Sequence, residues 1–312
     1  MKRLRVHTWL WWGLGALWIW DGLLSLQRDM ALGQLYMVTM GAWGEPGRYV
    51  HLVNDTVVSY LYHHHLATAL DLAVFTIQIA LGLCFLFGRH RPLGRYALYA
   101  SLAWALMVWF FAEWMGGLLG GMSFLVGGPG AALLYAAGSL VLLAGRGRPD
   151  RFLPRYVRVL GAAWIGGAAL QAFPIWWRNQ NLMQAVRANL VLTPVSLRTA
   201  PISALVVVAA RHPAAVNLAA LLSMGAVGLL LLHWPEHIAS YGALVVWACA
   251  LWWLGENFGG VFGGLSTDPN TGIVWMMAAL AGAFATRVVE DPLGGAPLAS
   301  PSPGTSPSSP GP

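Results

Sequence analysis

Two acidic signatures rich in glycine are the strongest chemical feature of the chain. Each is a glutamate that ends a long apolar run and is followed by paired glycines, namely Glu113, Gly116 and Gly117 in one and Glu256, Gly259 and Gly260 in the other. A carboxylate in apolar surroundings is costly and is therefore seldom incidental. Both glutamates are candidate proton carriers, and the glycines are candidate binding positions because they let a ligand or backbone approach closely.

A purely structural role fits the same residues. Glycines spaced four apart, such as Gly116 and Gly120, would form two rows on one helical face and allow tight helix packing. Each glutamate would then be held by a hydroxyl, an indole N–H or a backbone group of its own half. Convergence of the acids on one cavity would favour a site, and bonding within each half would favour architecture.

Further ionisable residues lie early in the chain. Asp21 interrupts an apolar, tryptophan-rich run, and Asp71 follows His64 by seven positions, so on a helix the two would share a face. We predict Asp21, Glu113 and Asp71 as candidate catalytic or proton-handling groups. His64, like Glu256, is a candidate binding residue.

The three consecutive histidines, His63, His64 and His65, raise the question of a metal site. Neighbouring residues on a helix point about 100° apart, so the three cannot all ligate one ion without an irregular backbone. We favour imidazoles that pair with lipid headgroups or with Asp71, and metal ligation remains the alternative.

A strong turn signal precedes the last apolar run, at residues 267–272. Asp268 followed by Pro269 favours a turn, and Asn270 or Thr271 can cap the helix that follows. We favour this capping role over direct contact with a substrate.

Composition places the chain in a membrane. It is 57% hydrophobic and only 10% charged, whereas soluble proteins average about 25% charged residues. The net charge of +6 does not indicate nucleic-acid binding, because the basic residues are spread over short loops between apolar runs. The lipid bilayer is therefore the expected partner, and nucleic acid is not.

The apolar runs define the architecture that must position these residues. We predict an all-α, polytopic membrane protein with about eight transmembrane helices, near 8–27, 66–87, 96–113, 130–145, 159–177, 214–232, 238–255 and 272–287. Because the signature recurs, residues 1–150 and 151–288 are predicted to be two four-span repeats. Residues 289–312, rich in Pro, Ser and Gly, are predicted to be a disordered tail.

Orientation follows from the positively charged residues. Most Lys and Arg fall on the side that carries both chain ends, which predicts a multi-pass protein of the cell membrane with both termini in the cytoplasm. Four spans per repeat is an even number, so the two repeats are predicted to be parallel.

The pattern of the first two spans resembles a known family. The run from Ile77 to Gly88 and Arg89, and the run from Trp18 to Leu24, look like spans of the DoxX/DoxD-like bacterial inner-membrane proteins. The resemblance implies a duplicated four-helix unit. It also implies a link to quinone-coupled redox chemistry, with quinone as cofactor and a membrane or periplasmic redox partner.

Three functions remain open from the sequence. The first is a quinone- or redox-associated membrane protein of DoxX/DoxD-like type. The second is a transporter or permease for a small solute or ion, since parallel repeats with broken helices and acids within the membrane are typical of such proteins. The third is a non-catalytic partner or assembly subunit. The sequence does not decide whether the chain is an enzyme.

Overall fold

The protein is all helical throughout the residues described by the computed structural model, which are 5–27, 29–30, 46–89, 91–145, 152–190, 196, 198–264 and 266–287. These residues form twelve helices and no strand. The helices are α1 (Arg5–Leu24), α2 (Gly47–Val53), α3 (Ser59–His63), α4 (Ala67–Gly88), α5 (Pro92–Phe111), α6 (Ala131–Gly145), α7 (Phe152–Gln171), α8 (Asn179–Ala188), α9 (Ala200–Arg211), α10 (Pro213–His233), α11 (Ile238–Ala250) and α12 (Asn270–Arg287). The predicted boundary at 150 and 151 and the predicted tail 289–312 lie outside the described residues.

Three of these helices are long and apolar enough to cross a membrane, which corrects the prediction of about eight on this criterion. They are α4, α10 and α11, the last continued by a π-helical turn to Gly255. Helices do occupy the other predicted runs, but they are shorter or less apolar. Trp and Tyr reduce the apolar character of α1 and α5, Arg155 and Arg158 do so in α7, and α6 has 15 residues. Three such helices indicate a membrane protein.

Eight of the helices pack as two groups with the same pairing. In the first group α1 packs mainly on α4, and α5 packs on α6. In the second group α7 packs mainly on α10, and α11 packs on α12. The last helix, α12, also contacts α1 and α6 and joins the groups into one core.

Close glycine contacts set the crossing of the first pair in each group. A Cβ atom on Gly82 of α4 would lie 2.9 Å from the carbonyl oxygen of Gly15 on α1. A Cβ atom on Gly228 of α10 would likewise lie 2.9 Å from the carbonyl oxygen of Gly161 on α7. Small residues let helix backbones approach this closely in membrane proteins, so these positions hold α1 against α4 and α7 against α10.

Irregular helical segments interrupt the chain beside the signatures. A π-helical turn, Asn54–Val58, joins α2 to α3, and 3₁₀ turns span Trp114–Gly117 and Asn257–Gly263. Irregular backbone at membrane depth is tolerated where protein buries it or where it lines a cavity. These interruptions therefore mark the region in which a site is to be sought.

Candidate functional site

The two signature glutamates hold helix ends in their own half of the chain. Glu113 accepts hydrogen bonds from the backbone N–H of Ala132, at the start of α6, with N–O distances of 3.0 and 3.1 Å. Glu256 accepts one from the N–H of Gly272, at the start of α12, at 2.9 Å, and another from the Thr271 hydroxyl. The first N–H groups of a helix have no partner within it, and the helix dipole there favours a carboxylate. Both glutamates therefore have an architectural role.

The chain turns into left-handed backbone directly after each glutamate, at Trp114 and Asn257, and the first glycine continues this turn. Gly116 and Gly259 have φ values of 63° and 65°, in the left-handed region that glycine adopts without strain. A Cβ atom on Gly116 would lie 2.0 Å from the carbonyl oxygen of Pro129, and one on Gly259 would lie 2.6 Å from the carbonyl carbon of Pro269. The prediction of glycine rows on one helical face is therefore wrong, because the chain folds back onto a proline at these positions.

A tryptophan closes this fold-back in each half. Trp109 and Trp252 each donate an indole hydrogen bond to the carbonyl oxygen of that proline, at 2.8 and 2.7 Å. Gly117 and Gly260 also have positive φ, of 79° and 69°, but no neighbouring atom within 3.5 Å of a Cβ there. The second glycine thus serves the backbone turn, whereas the first also makes room for the proline.

A cavity of about 860 Å³ lies in the first half of the molecule. Polar groups at its wall include Asp21 of α1, Gln78 of α4 and Tyr135 of α6, and its apolar wall includes Val74 of α4 and Phe111 of α5. Thr56, Val57 and Val58 of the π-helical turn and Tyr60 and Leu61 of α3 also line it. Among the described residues that line it, none is a lysine, arginine or histidine. The cavity therefore joins an acidic, hydrogen-bonding part to an apolar part.

The predicted site residues divide between the cavity and its surroundings. Asp21, Glu113, Gly116 and Gly117 line the cavity, so two of the three predicted catalytic candidates border the same space. Glu256, Gly259, Gly260, His64 and Asp71 are absent from its lining.

Asp21 is the buried acid with the fewest partners. Its side chain is 2% exposed, and its Oδ1 accepts a hydrogen bond from the Tyr135 hydroxyl at 3.1 Å. Among the described residues no other group donates to this carboxylate. The Tyr135 ring is held edge-on to Trp18, with ring centroids 4.7 Å apart. Because a buried charge without a cation is costly, Asp21 is suited to hold a proton or to meet a positively charged ligand.

A loop of the second half completes the cavity. Thr267 and Asp268, which precede α12, and Asn270, its first residue, line it beside the first-half residues. Asp268 Oδ1 accepts from the Asn270 N–H at 2.6 Å, and Asn270 Oδ1 accepts from the Thr271 N–H at 2.7 Å. The predicted capping is therefore present, and burial raises the pKa of the Asp268 carboxyl. The lining role was missed because no local signal shows that this loop reaches the other half.

Tyr135 and Gln78 were also missed by sequence reasoning. Each is one polar residue within an apolar run, so its type alone does not separate a site from a satisfied core position. Gln78 accepts from the Ser25 hydroxyl at 3.4 Å and is 5% exposed. The only available signal was that both lie on predicted spans of the half that contains Asp21.

The histidine cluster does not extend this site. His64 and Asp71 do not share a helix, because α3 ends at His63 and His65 has a φ of 55° before α4 begins at Ala67. The predicted common face is therefore wrong. Within the described part of the chain no group of three His, Cys, Asp or Glu side chains could hold a metal ion. The ring of His64 instead lies 4.3 Å from that of Tyr60.

Aromatic rings fill the place in the second half that would correspond to the cavity. Gly167 aligns with Asp21 in the predicted repeat, and a Cβ atom on it would lie 2.6 Å from Cδ1 of Phe124, a residue of the first half. Trp275 takes the position on α12 that Tyr135 takes on α6. The ring of each lies edge-on to the ring of a tryptophan on the first helix of its half. Aromatic rings thus replace the acid and the hydroxyl, so the polar cavity belongs to the first half.

No protein-family model, no curated protein and no solved structure matches the chain.

Proposed function

We propose that the chain is a multi-pass inner-membrane transporter that binds a small, partly apolar solute in the first-half cavity and exchanges a proton at Asp21. In this proposal it forms two parallel four-helix repeats of about eight spans, with both termini in the cytoplasm. The helices that fall short on apolar character cross the membrane packed against their neighbours, where protein rather than lipid meets their polar residues.

One observation carries the proposal. Asp21 lines a large cavity, is almost fully buried, and has the Tyr135 hydroxyl as its one side-chain donor among the described residues. Ionisable groups in membrane segments that face a cavity commonly mark a solute or proton path. A proton on Asp21 and a solute at the same carboxylate would compete, which is the simplest way to couple their movements.

The second repeat serves as a scaffold in this proposal. Its signature glutamate caps α12, aromatic residues of both halves fill the place of the cavity, and its loop delivers Asp268 to the first-half site. A transporter built of parallel repeats often binds its solute at the interface between repeats, beside interrupted helices. The contribution of one loop across the halves fits that arrangement.

A second candidate is a quinone- or redox-associated subunit of DoxX/DoxD-like type. The observation that favours it is the position of the Asp21 and Tyr135 pair at the end of an apolar wall. A quinol hydroxyl could donate to Asp21 while the isoprenoid tail lies along α5. The electrons would then pass to a membrane or periplasmic redox partner.

Uptake by proteoliposomes of the purified full chain tests the transporter. Two radiolabelled probes are offered against an acidic interior, the neutral hydrogen-bond donor catechol and the cation benzyltrimethylammonium. We expect uptake of at least one probe above that of protein-free liposomes. Asp21→Asn should reduce this uptake by at least about tenfold, which corresponds to about 1.4 kcal/mol of lost interaction.

Asp55→Asn is the matched control, since Asp55 is exposed and pairs with His51 outside the cavity. Its uptake should equal that of the unaltered protein. Uptake of neither probe, or equal uptake by the Asp21→Asn variant, would overturn the transporter. Quinone found in an organic extract of the same preparation would support the second candidate.

A further inference from the structure

Charged side chains are distributed unevenly around the first-half cavity. Its described lining residues include three carboxylates, Asp21, Glu113 and Asp268, and no basic side chain. A fourth carboxylate, that of Glu256, lies just outside the lining. Its Oε1 is 3.3 Å from the position that a Cβ would take on Gly127, and Gly127 lines the cavity. A carboxylate that ionises in this low-dielectric enclosure meets no basic side chain among the described lining residues, so the cavity favours a cation over an anion.

One of these carboxylates is available to a ligand. Both oxygens of Glu113 accept the same backbone N–H at the start of α6, and both oxygens of Asp268 accept hydrogen bonds within their own loop. At Asp21, Oδ1 accepts from Tyr135, whereas Oδ2 has no donor among the described residues. A ligand that supplies a positive charge would complete the partners of Asp21.

Aromatic rings surround the same space. Trp18, Trp104, Tyr135, Tyr60 and Phe111 all line the cavity. The face of an aromatic ring attracts a cation within about 6 Å, and it does so most strongly for weakly hydrated organic cations. Rings together with a carboxylate form the usual surroundings of a quaternary or protonated amine.

We propose that the cavity binds an organic cation, either a hydrophobic amine or a quaternary ammonium compound, with its charged head at Asp21 and its apolar part along α5. The inference rests on the binding site of the proposed function and does not depend on transport. An inorganic cation would leave the apolar walls unused, and a neutral solute would leave the charge of Asp21 unmatched.

A pair of probes with the same shape tests the charge alone. Benzyltrimethylammonium and neopentylbenzene differ in that a quaternary nitrogen replaces a quaternary carbon. Calorimetry on the full chain in lipid nanodiscs, with the signal of empty nanodiscs subtracted, gives both affinities. We expect the cation to bind at least about tenfold more tightly than its neutral counterpart.

Variants then locate the preference for the cation. Asp21→Asn should reduce it to within about twofold, whereas Asp55→Asn, which removes an exposed carboxylate outside the cavity, should keep it. Equal binding of the two probes by the unaltered protein would overturn the inference. A preference that survives in Asp21→Asn would also overturn it.

An anionic probe gives a test that needs no variant. Benzenesulfonate is of similar size, and it should not bind to the unaltered protein; binding as tight as that of the cation would overturn the inference. Cation binding without uptake leaves this inference standing while the transporter fails. Uptake of catechol without preferential binding of the cation would support the transporter and overturn this inference.

Discussion

Gln171, at the end of α7, accepts a hydrogen bond from the Ser123 hydroxyl at 2.9 Å and so ties the second half of the molecule to the first. Its amide donates to Asn217 Oδ1 on α10 at 2.6 Å. A reciprocal contact lies on the other side, where Gln27 Oε1 accepts from the Ser266 N–H at 3.0 Å. Each half is thus fastened to the other at the serine that follows its glycine-rich signature.

Replacing Gln171 should therefore weaken the whole fold. Gln171→Leu would leave Asn217 Oδ1 without its donor and the Ser123 hydroxyl without its acceptor, and each unmatched buried group costs about 1–3 kcal/mol. We expect the free energy of unfolding, measured by SDS titration in bicelles, to fall by about 3 kcal/mol. Gln184→Leu on α8 is the control, because Gln184 is exposed and should change stability by less than about 0.5 kcal/mol. Similar losses in the two variants would contradict the fastening role.

The two adjacent glycines of the first signature should respond differently to alanine. Both Gly116 and Gly117 have positive φ, which costs a residue with a Cβ about 1 kcal/mol. Only at Gly116 would that Cβ also meet a backbone atom, the carbonyl oxygen of Pro129, at 2.0 Å. We expect Gly116→Ala to lower the free energy of unfolding by at least about 3 kcal/mol and Gly117→Ala by about 1 kcal/mol. Equal costs in the same titration would show that the Pro129 contact does not matter.

Much of the helical framework could be predicted from the sequence, because long apolar runs correspond directly to helices. Every predicted span is occupied by a helix, including α1 and α6. The short helices were not predicted, since α2, α3 and the π-helical turn between them carry mixed residues without a clear period. Their positions depend on packing against other parts of the chain.

The site could be predicted only in part. Asp21 and Glu113 line one cavity, and both could be singled out in the sequence because each is a carboxylate within or at the end of an apolar run. The left-handed turn at Gly116 could not be foreseen, since it depends on Pro129 closing from a distant loop. Asp268 was missed for the same reason, because its loop crosses to the other half.

Glu256 should make stability depend on pH. Burial raises the pKa of its carboxyl from about 4.5 to about 7. The folded protein then holds this proton more tightly than the unfolded chain does, so the contribution to stability is complete below pH 4.5 and is lost as pH rises through 7. The full difference corresponds to about 3 kcal/mol.

The variant Glu256→Gln isolates this contribution. Between pH 4.5 and pH 8 the unaltered protein should lose about 3 kcal/mol more unfolding free energy than the variant, which cannot ionise at that position. Reversible unfolding in detergent micelles at several pH values measures both. If the unfolding free energies of the two proteins changed with pH in the same way, the Glu256 carboxyl would have the same pKa in the folded and unfolded states.

The last prediction concerns the fold of the variant on which the functional experiments depend. Asparagine has the shape of aspartate, and its Oδ1 can still accept from the Tyr135 hydroxyl, so Asp21→Asn should keep the free energy of unfolding within about 1 kcal/mol. Asp21→Leu should lower it by about 2 kcal/mol, because it leaves that hydroxyl buried without an acceptor. SDS titration of the two variants provides the comparison. A loss in Asp21→Asn as large as that in Asp21→Leu would make the charge of Asp21 part of the scaffold. A small loss would mean that any change in uptake or binding reports the missing charge at the cavity.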